Sequence, residues 1–267
     1  MSAVRTAQAI VSRDLSRAIR QKGRLVGGLA RSFMWLLLVG AGYGAIARVD
    51  GTSSYQSFVF PGIVVMAALF GAMLTAISTV YDREFGMLRL MLASPSGVPA
   101  VLAGRAVAAA VVGILHGGVV LVSAPLFMSV TIAQAGAALA VLVATSAASS
   151  VLGLLVAAPL RSVENFAAVV NVVLFPMLFL SGALYPTAHM PGWLRAAAVL
   201  NPVTYAVDLM RAALGQPTEF AVSSSLVALA AATALAFAGA ALLFDPERRF
   251  TLSVGRPRSD GRAGWSG

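Results

Sequence analysis

The chain has 267 residues, 59% of them hydrophobic and only 11% charged, against roughly a quarter charged in an average soluble domain. A soluble protein of this length could not cover such a core with so few charges, and the absence of cysteine excludes disulfide frameworks, thiolate metal sites and Cys nucleophiles. The formal net charge is +9, and 18 of the 19 basic residues are arginine, placed at the ends and in loops; anionic lipid headgroups are a simpler partner for them than nucleic acid.

In chain order, the first 24 residues do not read as a signal peptide, because no short apolar stretch with a cleavage site follows the basic start. On a helix, Val4, Ala7, Val11, Leu15 and Ala18 fall on one stripe and Arg13, Arg17, Arg20 and Arg24 on the opposite side. Such a helix is expected to lie in the inner headgroup plane with its arginines on phosphates; the alternative is a solvated basic tail. Six apolar runs follow, at about Arg31–Ala47, Phe58–Val80, Ala106–Phe127, Ala135–Leu160, Phe166–Leu184 and Val222–Phe244, most of a length that crosses the hydrocarbon layer as helix. The domain organisation expected is a single transmembrane unit over 1–267: an interfacial helix over 1–30, a six-span core over 31–244 and a flexible basic tail over 245–267. The N-terminal segment through Arg31 carries seven basic residues; Arg83, Arg89 and Arg105 lie in the second loop, Arg161 in the fourth and five in the tail, whereas the other side carries only Arg48, Arg195 and Arg211. This bias predicts both termini in the cytoplasm.

Two connecting segments carry more information than a plain linker needs. The second loop, Tyr81–Arg105, starts with Asp82-Arg83-Glu84-Phe85-Gly86, continues through Leu88, Arg89 and Leu92, and reaches Ser94-Pro95 before Gly104-Arg105. Phe85, Leu88 and Leu92 share one helical face, and Pro95 and Gly97 are expected to stop the helix. An exposed apolar ridge of this kind docks on a partner or on the membrane surface, unless the helix packs on its own spans. Between the fifth and sixth spans lie Tyr185-Pro186, Pro191-Gly192-Trp193-Leu194 and Asn201-Pro202-Val203-Thr204-Tyr205, with Asp208 and Arg211 beyond. Asn201 is suited to cap a helix that starts at Pro202 and closes at Gly215; Trp193 and Tyr205 suit an interface. The alternative is a plain packed hairpin.

These two stretches, together with Ser181-Gly182, the span count and the loop lengths, resemble the type-2 ATP-binding-cassette exporter permeases, particularly the daunorubicin-resistance and multidrug branch. The resemblance covers nearly the whole chain. It implies an all-α membrane protein with a cytoplasmic coupling helix between spans 2 and 3 (Asp82, Arg83, Glu84, Phe85, Gly86, Leu88, Arg89, Leu92). It also implies short outer re-entrant-like helices between spans 5 and 6 (Pro191, Gly192, Trp193, Asn201, Pro202, Tyr205, Asp208, Arg211). The partners it implies are two ATPase subunits, which bind ATP and Mg, and a second permease, identical or related, in a bacterial cytoplasmic membrane.

Energy and chemistry can be weighed from the residues themselves. Lys22 is the only lysine and is followed by Gly23 and Arg24, so the phosphate-cradling Gly-rich loop ending in Lys and Ser or Thr is missing and this chain binds no cofactor. Asp82, Glu84, Glu164 and Asp245 are expected at cytoplasmic borders rather than in span cores, which argues against a proton- or sodium-driven pump. No Gly-x-Ser-x-Gly nucleophile turn or intramembrane metal cluster is present, which argues against an enzyme. His116 is the ionisable residue well inside a span; it and Asn171, Phe175 and Phe179 are candidates for the substrate pathway, with ordinary helix packing as the alternative. The expected function is export of a drug or lipid-like amphiphile driven by ATP on another subunit. A permease for a lipid-linked glycan or envelope polymer, and a non-transporting scaffold, are the alternatives.

Overall fold

The computed structural model describes residues 3–44, 54–92 and 97–244. Among them there is no strand, and the helices follow in the order α1 Ala3–Arg20, α2 Lys22–Met34, α3 Gly40–Gly44, α4 Tyr55–Glu84, α5 Met87–Leu92, α6 Gly97–Val122, α7 Ile132–Ala157, α8 Val163–Leu180, α9 Gly192–Leu200, α10 Pro202–Ala213 and α11 Val222–Phe244. A π turn over Trp35–Val39 makes α2 and α3 one continuous rod. Six helical stretches are long and apolar enough to cross a bilayer: Leu25–Gly44, Tyr55–Glu84, Val98–Leu126, Ile132–Ala157, Val163–Leu180 and Val222–Phe244. The expected six spans are therefore present, with the second extended by several residues at both ends.

The bundle is built around α4. Every residue from Ser57 to Met73 is buried, as expected of a helix that is apolar all round. Against it pack α6, α7, α8, α10 and α2. The outer helices keep large apolar side chains on their free faces, such as Val172 on α8 and Leu235 on α11, the pattern that suits lipid-exposed helices. Close approach depends on small residues. A methyl group added at Gly113 of α6 would stand 2.9 Å from the Ala68 carbonyl oxygen of α4, and one at Gly62 of α4 would stand 2.5 Å from Ala183 Cβ.

Helix starts follow the local chemistry. Ser54 caps α4 by accepting from Ser57 N, and Ser162 caps α8 by accepting from Asn165 N. Thr131 and Gln134 form a reciprocal capping box on α7. Two expectations change. Tyr81 to Glu84 are the last turn of α4 rather than the start of a separate loop helix, and Gly97 opens α6 instead of ending a helix. The expected basic tail over 245–267 lies outside the described residues.

Candidate functional site

The end of α4 at Glu84 gathers more charge than any other buried place among the described residues. Asp82 is 4% exposed. Its carboxylate accepts from Arg105 Nη2 of α6 at 2.6 Å, from Arg13 Nη2 of α1 at 2.5 Å and from Arg17 Nη1 of α1 at 3.4 Å. Arg105, itself 2% exposed, also donates to Thr79 Oγ1 at 3.0 Å and stands 3.9 Å from Asp14. Asp14 in turn accepts from Arg13 Nε and Nη2 at 3.1 and 2.9 Å. Burial opposes the charge of Arg13, but Asp82 and Asp14 outweigh it and hold this guanidinium above its usual range.

This cluster corrects the reading of α1. Its inward face is Ile10 and Asp14, at 6% and 3% exposure, whereas Val4 of the expected apolar stripe is 65% exposed. The helix lies on α6, with Gly104 giving way to Ala7 and Ile10. Arg13 and Arg17 are therefore spent on Asp82, while Arg5 and Arg20 stay exposed. Asp82, read as part of the second loop, is a buried member of the last turn of α4. The signal that could have found this pairing was Asp14, a lone acid in a basic helix.

The neighbours of Asp82 point elsewhere. Arg83 Nη1 donates to the carbonyls of Ala157, the last residue of α7, and of Ala158 and Leu160 just beyond it, at 3.2, 2.5 and 2.8 Å, and its guanidinium lies 4.8 Å from the Phe244 ring centroid. Glu84 Oε2 accepts from Val163 N at 3.4 Å. Phe85 then leaves the helix and is 75% exposed, stacked on Tyr81 with ring centroids 6.4 Å apart. Gly86 follows at φ +76, a conformation that favours glycine. In α5 Leu88 turns inward, 4% exposed, against Leu102, Leu154, Ala158, Ala240 and Phe244. The expected common face is thus broken: Phe85 projects from the turn before α5, and Leu88 belongs to the core. The side chains of Arg89 and Leu92 lie outside the described residues.

At the opposite end of the bundle, α9 and α10 follow one another with only Asn201 between them. Asn201 caps α10 by accepting from Val203 N at 3.1 Å and donates to the Met177 carbonyl of α8 at 2.6 Å. Asp208 accepts from Glu219 N at 2.8 Å and Ser225 Oγ at 3.0 Å. Arg211 donates to the Gly182 carbonyl at 2.6 Å and lies 4.3 Å above the Phe58 ring. Glu219 accepts from Thr187 N at 2.7 Å and from the Thr187 hydroxyl. Tyr205 donates to the Val199 carbonyl at 2.7 Å, and Trp193 is 75% exposed. Pro191 caps α9, which opens at Gly192, and Pro202 is the first residue of α10. Asp208 and Arg211 are buried members of this lock, and Glu219 and Thr187, which sequence reasoning missed, close it.

The four pathway candidates do not share one wall. His116 is buried between Gly28 of α2 and Gly71 of α4, with Nδ1 2.9 Å from the Val112 carbonyl and Nε2 without a partner. It lines a cavity of about 20 Å³ beside Asp14, Arg17 and Ser78. Phe175 and Phe179 line a different, apolar cleft with Trp35, Met66 and Phe70. Asn171 is exposed on α8 and donates to its own helix at Ala167.

Residues 5–214 match the family model described as ABC-2 type transporter, whose membrane-protein signature spans both ends of the bundle just described. The chain belongs to the ABC-2 transporter membrane family. It is 32% identical over 201 residues to Nodulation protein J of Rhizobium leguminosarum bv. viciae, covering 72% of this chain and 76% of that protein. It is 29% identical over 212 residues to the provisionally named transport permease ycf38 of Cyanophora paradoxa, covering 76% and 71%. It is 28% identical over 159 residues to the provisionally named multidrug ABC transporter permease YbhR of Escherichia coli strain K12, covering 59% and 43%. The chain is thus an ABC-2 permease subunit, and membership implies an ATP-binding-cassette ATPase as its partner.

Proposed function

We propose that this permease exports a hydrophobic or amphipathic substrate, drug or lipid-like, powered by ATP and Mg bound to a pair of ATPase subunits. Two permeases, identical or related, enclose the pathway. The bias of basic residues supports an orientation with both termini and the Glu84 end of α4 on the cytoplasmic side, and the membrane we infer is the bacterial cytoplasmic one. Arg5 and Arg20, exposed on α1, meet anionic headgroups there. The observation that carries the reading is Phe85. It is three-quarters exposed on a turn whose preceding residues are all tied into the bundle, so it is an apolar knob on a rigid base, suited to a pocket on a partner. The buried acidic groups are already satisfied: Asp14 by Arg13, Asp82 by arginines, and Asp208 by Glu219 N and Ser225. None of the three is free to carry protons through the membrane. A bundle so apolar offers little to a small hydrophilic ion, whose dehydration would go uncompensated, and suits a molecule that already dissolves in the bilayer.

The test is transport of a fluorescent amphiphile in vesicles carrying the permease and its ATPase. Transport is expected to need ATP and to survive a protonophore. Phe85→Asp is expected to leave the permease folded and release the ATPase, whereas Leu88→Asp puts a charge into the core and lowers folded yield instead. Transport that needs no ATP and stops with the protonophore overturns the energy source. Full ATPase recovery with Phe85→Asp overturns the dock.

A further inference from the structure

The first membrane-spanning stretch is Leu25–Gly44, so Arg31 lies about 9 Å along the helix axis from its start. A charge at that depth is costly and calls for a partner. Buried arginines elsewhere have one: Arg105 meets Asp82, and Arg211 donates to the Gly182 carbonyl. Arg31 is half-buried, and none of the ion pairs or side-chain hydrogen bonds among the described residues includes it. What it meets is an aromatic ring, with its guanidinium carbon 4.7 Å from the Phe70 centroid of α4. The same ring is a wall of the apolar cleft that Trp35, Phe175 and Phe179 also line. Chain direction fixes which end of the cleft this is. On α4, Phe70 is the lining residue nearest Glu84, and Arg31 stands one turn before Trp35 on the antiparallel rod. The cleft runs from there away from the Glu84 end, as far as Ala183 and Leu184. Its enclosed space is about 10 Å³, no more than about one water fills, and Phe175 and Phe179 are each 41% exposed. It is therefore one open wall, apolar along its length and cationic at one end.

We infer that Arg31 selects the cargo, favouring an amphiphile whose head carries a phosphate, sulfate or carboxylate. The tail lies along Trp35, Phe175 and Phe179, and the head meets the guanidinium at the Glu84 end of the cleft. The inference rests on the reading of this chain as an exporter of amphiphiles, which it narrows to anionic ones. Contact with a ring engages the charge of a guanidinium but none of its five N–H donors, and their fork matches the geometry of an oxyanion. A neutral head leaves that charge unanswered within the span, and a cationic head is repelled by it.

The experiment compares two fluorescent lipids with the same tail, one headed by a phosphate monoester and one by phosphocholine. ATP-driven transport of each is measured with the permease and its ATPase in phosphatidylcholine vesicles, and again in vesicles that also contain phosphatidylglycerol. The wild type is expected to show a KM about tenfold lower for the phosphate probe, the size that one charge-assisted hydrogen bond gives. Arg31→Gln is expected to bring the two KM values within about twofold of each other, Arg31→Lys to keep most of the preference, and Arg31→Glu to reverse it. Should Arg31→Gln not be recovered folded, Arg31→Met, which keeps an apolar stem of similar length, takes its place. An equal KM for both probes in the wild type overturns the inference without any variant. So does a change in Arg31→Gln that is the same for both probes and present only with phosphatidylglycerol, because the guanidinium then serves bulk lipid and not cargo. ATP-driven transport that ignores the head overturns this inference alone, whereas no ATP-driven transport of either probe overturns the exporter reading on which it rests.

Discussion

Asp82 and Arg105 show what a buried charge demands of its surroundings. Taking a guanidinium with 2% exposure out of water is tolerable only while its partners are in place, since a lone buried charge is far more costly than a matched pair. Asp82→Ala would leave Arg105 with Thr79 and a carboxylate 3.9 Å away. The expected loss is about 3 to 5 kcal/mol of stability, read as a lower thermal midpoint in detergent. Asp82→Ala combined with Arg105→Met removes both charges and is expected to recover much of the loss. A double variant no more stable than the single one would show that the pair is not what holds this corner.

The helical elements differ in how they are held. Along its buried stretch from Ser57 to Met73, α4 is held mainly by apolar packing on neighbours all round. By contrast, α10 depends on a polar frame: Asn201 at its start, and Asp208 and Arg211 along its buried face. Replacing Asn201 by Ala removes both the cap and the bond to the Met177 carbonyl. An N-cap alone is worth about 0.5 to 2 kcal/mol, so the variant is expected to melt lower and to show faster amide exchange in the first turn of α10. Exchange in α4 is expected to stay unchanged, because no contact of α4 depends on that side chain. Equal acceleration in both helices would mean that α10 and the central helix open as one unit.

For the whole molecule, the absence of cysteine makes the topology directly testable. Single cysteines at Ser96 and Ser266 are expected to react with an impermeant maleimide only after the membrane is opened. One at Ala188, exposed in the short turn Thr187–His189, is expected to react in intact cells. Labelling of Ser96 from outside would invert the assignment of both ends, and with it the side on which Phe85 meets a partner.

Apolar run length is a property of the chain itself, so the six spans were legible before any contact was known; the expected orientation rests on the distribution of arginines alone. Caps were legible too: Asn201 and Pro202 begin α10 as their local chemistry requires. Partners were not. Asp82 was visible as a loop charge, but Arg13 lies 69 residues away from it, and only the packing of α1 on α6 brings them together. Likewise, helical periodicity placed Phe85 and Leu88 on one face because it assumed an unbroken helix. The turn at Gly86 separates them and sends one outward and one into the core. Local preference is written over a few neighbouring residues, while the pairing of charges and the facing of side chains depend on which helices the bundle brings into contact.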